Sequence, residues 1–249
     1  MRFVVVGLAV LAGVSLAVAA RVLQHRAHPS ETPARGTEMV SLPGGTFVLG
    51  ETRETATVSP FSIDATEVTE EAYRACVHAG ACSDAHVHEW NLGGKASSDS
   101  QCNYDVPGRL NHPMNCVDWS QADAYCRAQK KRLPTEAEWE WAARGGSEAR
   151  IYPWGNEAPG DRICWSETLA RTGTCPVGSH ASGDAPGGIH DLAGNVAEWT
   201  ATYFDASNTA RVTRGGAFSY TDPAGVRAAT RHRHDPGERV ERLGFRCVR

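Results

Sequence analysis

Eight cysteines, ten histidines and an arginine-rich C-terminal run carry most of the reactive chemistry in this 249-residue chain. The cysteines stand at 76, 82, 102, 116, 126, 164, 175 and 247. They contain no CxxC pair and no cluster with zinc spacing, so a thiolate metal centre has little support. An even count with short gaps points to disulfides. Spacing suggests local closure of Cys76 with Cys82, Cys102 with Cys116 and Cys164 with Cys175, which leaves Cys126 for Cys247. Other connectivities stay open at this stage. His86-Val87-His88-Glu89 and His232-Arg233-His234-Asp235 each place two imidazoles on one side of an extended strand. Neither pair brings a fixed third ligand, and both read better as exposed loop histidines. Between Val226 and Arg249, seven arginines stand against Asp235, Glu238 and Glu241, a local charge of +4 (seven minus three). Interleaved with Val226, Val240, Leu243 and Phe245, they fit two roles. One is a cleft wall for carboxylate or sulfate; the other is a closing segment paired with the protein's own carboxylates.

Three helices are expected to position these groups. Thr69 to Ala79 opens with Thr69-Glu70-Glu71 and puts Ala72, Tyr73, Cys76 and Val77 on one face. Ser120 to Gln129 turns Ala122, Tyr125 and Cys126 toward a core. Pro134 to Arg144 has Thr135 as N-cap and Glu138 to complete a capping box, and Gly145-Gly146 stops it. Short strand-like runs bounded by Gly and Pro lie at Met39–Leu42, Thr46–Leu49, Phe61–Ile63 and Arg211–Arg214. The remainder, from Ile151 onward, is glycine-rich and reads mostly as loop. Disulfides or a bound ion would offset the entropy of ordering it.

The composition is that of a globular chain: 41% hydrophobic, 22% charged, with 25 basic and 29 acidic residues for a formal charge of −4. It excludes disordered, collagen-like and coiled-coil chains, and gives no electrostatic support for a nucleic-acid partner. Residues 3–20 form an apolar run of about 27 Å if helical, close to the thickness of a bilayer core. Ala17-Val18-Ala19 has the form of a signal-peptidase site, while Arg21 and Arg26 follow closely. A cleaved signal peptide and a retained membrane anchor, touching lipid through residues 3–20, are both open. Residues 21–37 read as a flexible linker and 38–249 as one domain. The chain is expected to work outside the cytoplasm, in the periplasm or extracellular space of a bacterial envelope, with an inner-membrane anchor if the first segment is retained.

A set of ordered blocks is more specific. They are Met39-Val40-Ser41-Leu42-Pro43-Gly44-Gly45-Thr46-Phe47, Pro60-Phe61-Ser62-Ile63-Asp64 with Glu67-Val68-Thr69, and His112-Pro113 with Val117-Asp118-Trp119. Lys131-Arg132-Leu133-Pro134-Thr135-Glu136-Ala137-Glu138-Trp139-Glu140 is the strongest. Tyr152-Pro153-Trp154-Gly155-Asn156, Asp191-Leu192-Ala193-Gly194-Asn195 with Glu198-Trp199, Arg214-Gly215-Gly216 and Gly244-Phe245-Arg246-Cys247 complete the series. In these blocks the chain resembles the formylglycine-generating enzyme family, the sulfatase-modifying factors. The resemblance implies a mixed α/β domain with little regular secondary structure, related to the C-type lectin fold. It also implies a disulfide from the helix before the KRLPTE block to the terminal GFRC, in agreement with Cys126–Cys247.

Members that generate formylglycine oxidise a substrate cysteine with O2, using two copper-binding cysteines five residues apart after the RGG block. Soft thiolates suit Cu(I). The matching positions here are Tyr220 and Gly225, and the family's serine and tryptophan nearby are Ala217 and Ala197. Copper is therefore not expected, and no catalytic residue is assigned. Asp191-x-x-Gly194-x-Val196-x-Glu198 is similar to the family's calcium loop, which implies side-chain oxygens from Asp191 and Glu198 and carbonyls from Gly194 and Val196 around a structural calcium. Trp119, Phe218, Tyr220, Arg231, His232 and His234 are the candidate ligand cleft. The functional expectation is a non-catalytic module that binds a protein or small molecule. The alternative is a formylglycine-generating or other metal-dependent oxidoreductase.

Overall fold

The computed structural model describes Met1 and residues 38–86, 101–166 and 170–249. The expected signal or anchor, the linker and the His88 half of the first histidine pair lie outside the described residues. Among those described, no helix is long and apolar enough to cross a membrane.

Local capping explains the helices. Thr69 Oγ1 accepts from the Ala72 amide at 3.2 Å to start α1, Glu70–His78. Asp118 starts α2, Trp119–Ala128, through a capping box with Gln121. The helix thus starts one residue before the expected Ser120, with Asp118 as its cap. Thr135 and Glu138 form the expected box at α3, Glu136–Ala143.

Two small antiparallel ladders come first: β1, Met39–Leu42, with β4, Phe61–Asp64, and β2, Gly45–Val48, with β3, Thr55–Val58. The glycine-rich half, expected to be mostly loop, contributes a four-stranded sheet in the order β7-β6-β5-β8. Its strands are β5 Ala197–Tyr203, β6 Arg211–Arg214, β7 His232–His234 and β8 Leu243–Gly244, with β5 and β8 parallel. The architecture is thus mixed α/β with three short helices among the described residues.

One apolar cluster lies between α1, α2 and the sheet, around Tyr73, Met114, Tyr125, Trp199 and Phe245. A second joins the small ladders to α3 through Phe47, Ile63, Trp139 and Trp141. Four disulfides pin this core: Cys76–Cys82, Cys102–Cys116, Cys126–Cys247 and Cys164–Cys175. These are the pairs read from the sequence, and they consume all eight cysteines. Cys126–Cys247 spans 121 residues and ties α2 to the chain end; a loop of that size corresponds to about 5 kcal/mol in the chain-entropy picture.

Candidate functional site

Strand alternation divides the four-stranded sheet into two chemically distinct faces. The register pairs Arg211 with His234 and Thr213 with His232, and Trp199 with Thr213, so these five share one face. Arg214 lies on the other face, under α3. There its guanidinium donates to Glu136 Oε1 at 2.7 Å and Glu140 Oε2 at 2.6 Å with no solvent exposure. Arg231 also donates to Glu136, at 2.6 Å, and to the Phe204 carbonyl. That face is a closed ion network.

The opposite face, which turns Trp199, Thr213, His234 and Arg211 inward, begins at the Gly215-Gly216 turn, where both residues have positive φ (92° and 68°). A side chain on Gly216 would meet the Gly225 carbonyl at 2.7 Å, so the 216 turn and the 225 segment are packed together. A methyl group on Gly225 would lie 2.7 Å from Tyr220 Cδ2. The Tyr220 ring therefore occupies the space a side chain at 225 would need. It packs edge-on to His232 with centroids 5.2 Å apart. His232 Nε2 is 2.9 Å from the Gly225 carbonyl; that oxygen only accepts, so Nε2 carries the proton. Burial holds the His232 imidazole below its ordinary value, favouring the neutral ring. Farther along the face, His234 Nδ1 meets Glu238 at 2.7 Å and its ring abuts Trp199. At the end, the Arg211 guanidinium lies between the Trp119 and Tyr203 rings, 3.9 and 3.6 Å from their centroids. It donates to the Ala201 carbonyl at 2.7 Å, while its Nε has no partner. Thr213 Oγ1 is buried without a partner on the same face.

Not all six expected cleft residues line this face. Tyr220, His232, His234 and Trp119 belong to it. Phe218 does not: it is fully buried against Cys164–Cys175, with its carbonyl accepting from Ser166 Oγ. Arg231 does not either, because strand alternation turns it toward α3 and Glu136 takes its guanidinium. More broadly, the C-terminal arginines act as a closing segment. Arg239 donates to the carbonyls of Cys116 and Ala85, and Arg246 is buried in an ion pair. Arg211, Tyr203 and Thr213 went unnoticed in the sequence; they join the histidines only through the β6–β7 register, which no local pattern encodes.

The 191–198 segment lies between this loop and the second core cluster. Asp191 has φ 56° and accepts the Gly178 amide at 2.6 Å. Gly194 donates to the Gly215 carbonyl, and any side chain there would strike the Cys164 carbonyl at 2.6 Å. Glu198 is fully buried and accepts from Arg246 Nε and Nη2 at 2.7 and 2.8 Å and from Trp139 Nε1 at 2.8 Å. Close by, Glu67 is fully buried and neither of its carboxylate oxygens has a hydrogen-bond partner. Desolvation, reinforced by the neighbouring Asp191 carboxylate, drives its carboxyl well above the ordinary range.

A family profile described as a sulfatase-modifying factor enzyme 1-like domain matches residues 25–249. The chain is 33% identical to the formylglycine-generating enzyme of Thermomonospora curvata, over 84% of this chain and 92% of that protein. It belongs to the sulfatase-modifying-factor family. It is also 32% identical to the inactive C-alpha-formylglycine-generating enzyme 2 of Bos taurus, over 84% of this chain and 87% of that one. Among solved structures it resembles PvdO from Pseudomonas aeruginosa, with a TM-score of 0.67 at 24% identity over 86% and 94% of the two chains. Within the sulfatase-modifying-factor scaffold, then, the positions counted from Gly215-Gly216 hold an aromatic ring stacked over a glycine. Every cysteine of the chain is bonded to another cysteine.

Proposed function

We propose that this sulfatase-modifying-factor domain is an exported, non-catalytic binding module, retained at the membrane if residues 3–20 are not cleaved. The Tyr220 ring packed over Gly225 is the observation that carries this reading. These are the positions the family resemblance gives for the copper cysteines, and neither offers a sulfur ligand. With all eight cysteines in disulfides, the donor set does not fit Cu(I), which needs thiolates. Similarity to an inactive formylglycine-generating enzyme 2 supports the same direction. Four disulfides suit an oxidising compartment.

The binding surface would be formed by the half-buried Tyr220, His232 and Trp119 and the exposed Tyr203 at the ends of this sheet face, with Arg211 stacked beneath the last two rings. It suits a peptide segment or small molecule carrying apolar groups with carbonyl or carboxylate acceptors. The 191–198 segment would hold a structural calcium that orders the glycine-rich half. Identity to the Thermomonospora curvata enzyme favours a second reading, a formylglycine-generating oxidase. Competition for Cu(I) against a chromogenic chelator separates the two. The oxidised chain is expected to leave the chelator's copper untouched; stoichiometric withdrawal of Cu(I) would favour the oxidase.

A further inference from the structure

A cavity of about 340 Å³ opens where the β2–β3 turn, the start of α3 and the end of β5 meet. Of the residues in the binding surface proposed above, it is lined only by Tyr203. Hydrogen bonds hold its walls together. The Gly50 amide of the turn donates to Glu140 Oε1 of α3 at 2.8 Å, and the Glu136 amide donates to Thr202 Oγ1 at 2.9 Å. The Leu49 amide closes the turn onto the Glu54 carbonyl at 2.9 Å. The site is therefore preformed. Its volume is at the small end of ligand cavities, which suits an amino acid or a dipeptide.

An unbalanced ion network sets its chemistry. Arg144, Arg214 and Arg231 share two carboxylates, Glu136 and Glu140, which leaves one positive charge over. Arg231 is the guanidinium of the three that lines the cavity. Its Nε and Nη2 are taken by Glu136 and the Phe204 carbonyl, while Nη1 meets no acceptor among the described residues. Thr202 Oγ1 accepts from Glu136, so its own proton is left to donate. The Ala137 amide, second in α3, has no helical acceptor. These donors suit a carboxylate. Leu49, Tyr203 and Phe204 supply an apolar wall. Glu54 is exposed at the turn, with no ion-pair partner among the described residues, and adds one negative charge. That carboxylate would repel a dianion and favour a ligand that also carries an ammonium group.

We propose that this cavity binds a small zwitterion, an apolar amino acid or dipeptide, with its carboxylate on Arg231 Nη1 and Thr202 and its ammonium group toward Glu54. The site is separate from the Tyr220 surface, and neither the copper nor the calcium reading enters it.

Calorimetric titration of the dipeptide Leu-Phe into the full-length oxidised chain, with amide NMR spectra to place the ligand, tests this. One dipeptide per chain is expected to bind, with shifts at Thr52, Ala137 and Thr202. Leu-Phe amide lacks the carboxylate and is expected to bind at least about tenfold more weakly. N-acetyl-Leu-Phe lacks the ammonium group and is expected to lose about threefold, the smaller effect of an exposed partner. Glu54→Gln alters an exposed side chain and should keep the fold. It is expected to weaken Leu-Phe by the same factor without weakening N-acetyl-Leu-Phe. Absence of heat and shifts with millimolar Leu-Phe would overturn the inference, as would equal binding of either blocked form. Shifts confined to residues 217–226 would place the ligand at the Tyr220 surface, which refutes this site and supports the binding-module reading.

Discussion

The substitution Gly225→Ala probes the packing on which the functional reading depends. A β-carbon at 225 would sit 2.7 Å from Tyr220 Cδ2 and 3.2 Å from Cε2, and its third-nearest neighbour is Cγ of the same ring at 3.9 Å. Carbon atoms need about 3.5 to 4.0 Å, so the ring or the loop must yield by about 1 Å. The ring is restrained. The Tyr220 amide donates to Ala217, its carbonyl accepts from Ser166 at 2.9 Å, and His232 stands edge-on against it. Overpacking of this kind costs about 1 to 3 kcal/mol. In a Tyr220→Ala background the nearest atoms are gone. There the same substitution is expected to be neutral or to stabilise by about 0.5 kcal/mol, through the reduced freedom of the unfolded chain. The coupling energy of the pair is then about 1 to 3.5 kcal/mol. Urea unfolding of the four oxidised proteins reads it directly. Equal effects of Gly225→Ala in the two backgrounds would mean that the ring does not fill this position, and the argument from it would collapse.

Two other outcomes follow from the packing and the buried groups. Replacing Cys126 and Cys247 by serine opens the 121-residue loop; the loss is expected to be about 4 to 5 kcal/mol or a failure to fold, seen in melting curves without reductant, and a change under about 1 kcal/mol would show that the bridge adds little. His232 is held below its ordinary value of 6.5 by burial, so the unfolded chain takes up its proton first as pH falls. Its contribution costs stability from about pH 6.5 downward and levels off once the folded imidazole protonates. His232→Gln should flatten that part of the stability–pH curve, while a similar residual slope from His112 and His180 remains.

What the chain showed before folding was local. Thr135 with Glu138 reads as a helix start because both members of the capping box lie within one turn, and the short cysteine gaps close over a few residues. The sheet was hidden for the opposite reason. Ala197–Tyr203 follows a glycine-bearing loop, and its partners β6 and β8 arrive from later in the chain, so its identity depends on pairing. The candidate site shared this fate. The two histidines were visible as an alternating pair, but Arg211 joins them only across β6–β7, and Arg231 is removed from them by the same alternation. The pairing of Glu198 with Arg246 was equally hidden, because the two lie 48 residues apart. Glu67 stood out only as part of the Glu67-Val68-Thr69 block, where nothing signals that its carboxylate is buried without a donor.

The central claim is that this scaffold binds and does not oxidise. The direct measurement is mass analysis of a cysteine-containing sulfatase peptide after incubation with the full-length oxidised chain, Cu(I) and O2. The account predicts that the peptide cysteine is recovered unchanged. Conversion of that cysteine to formylglycine, at a rate proportional to protein concentration, would contradict it.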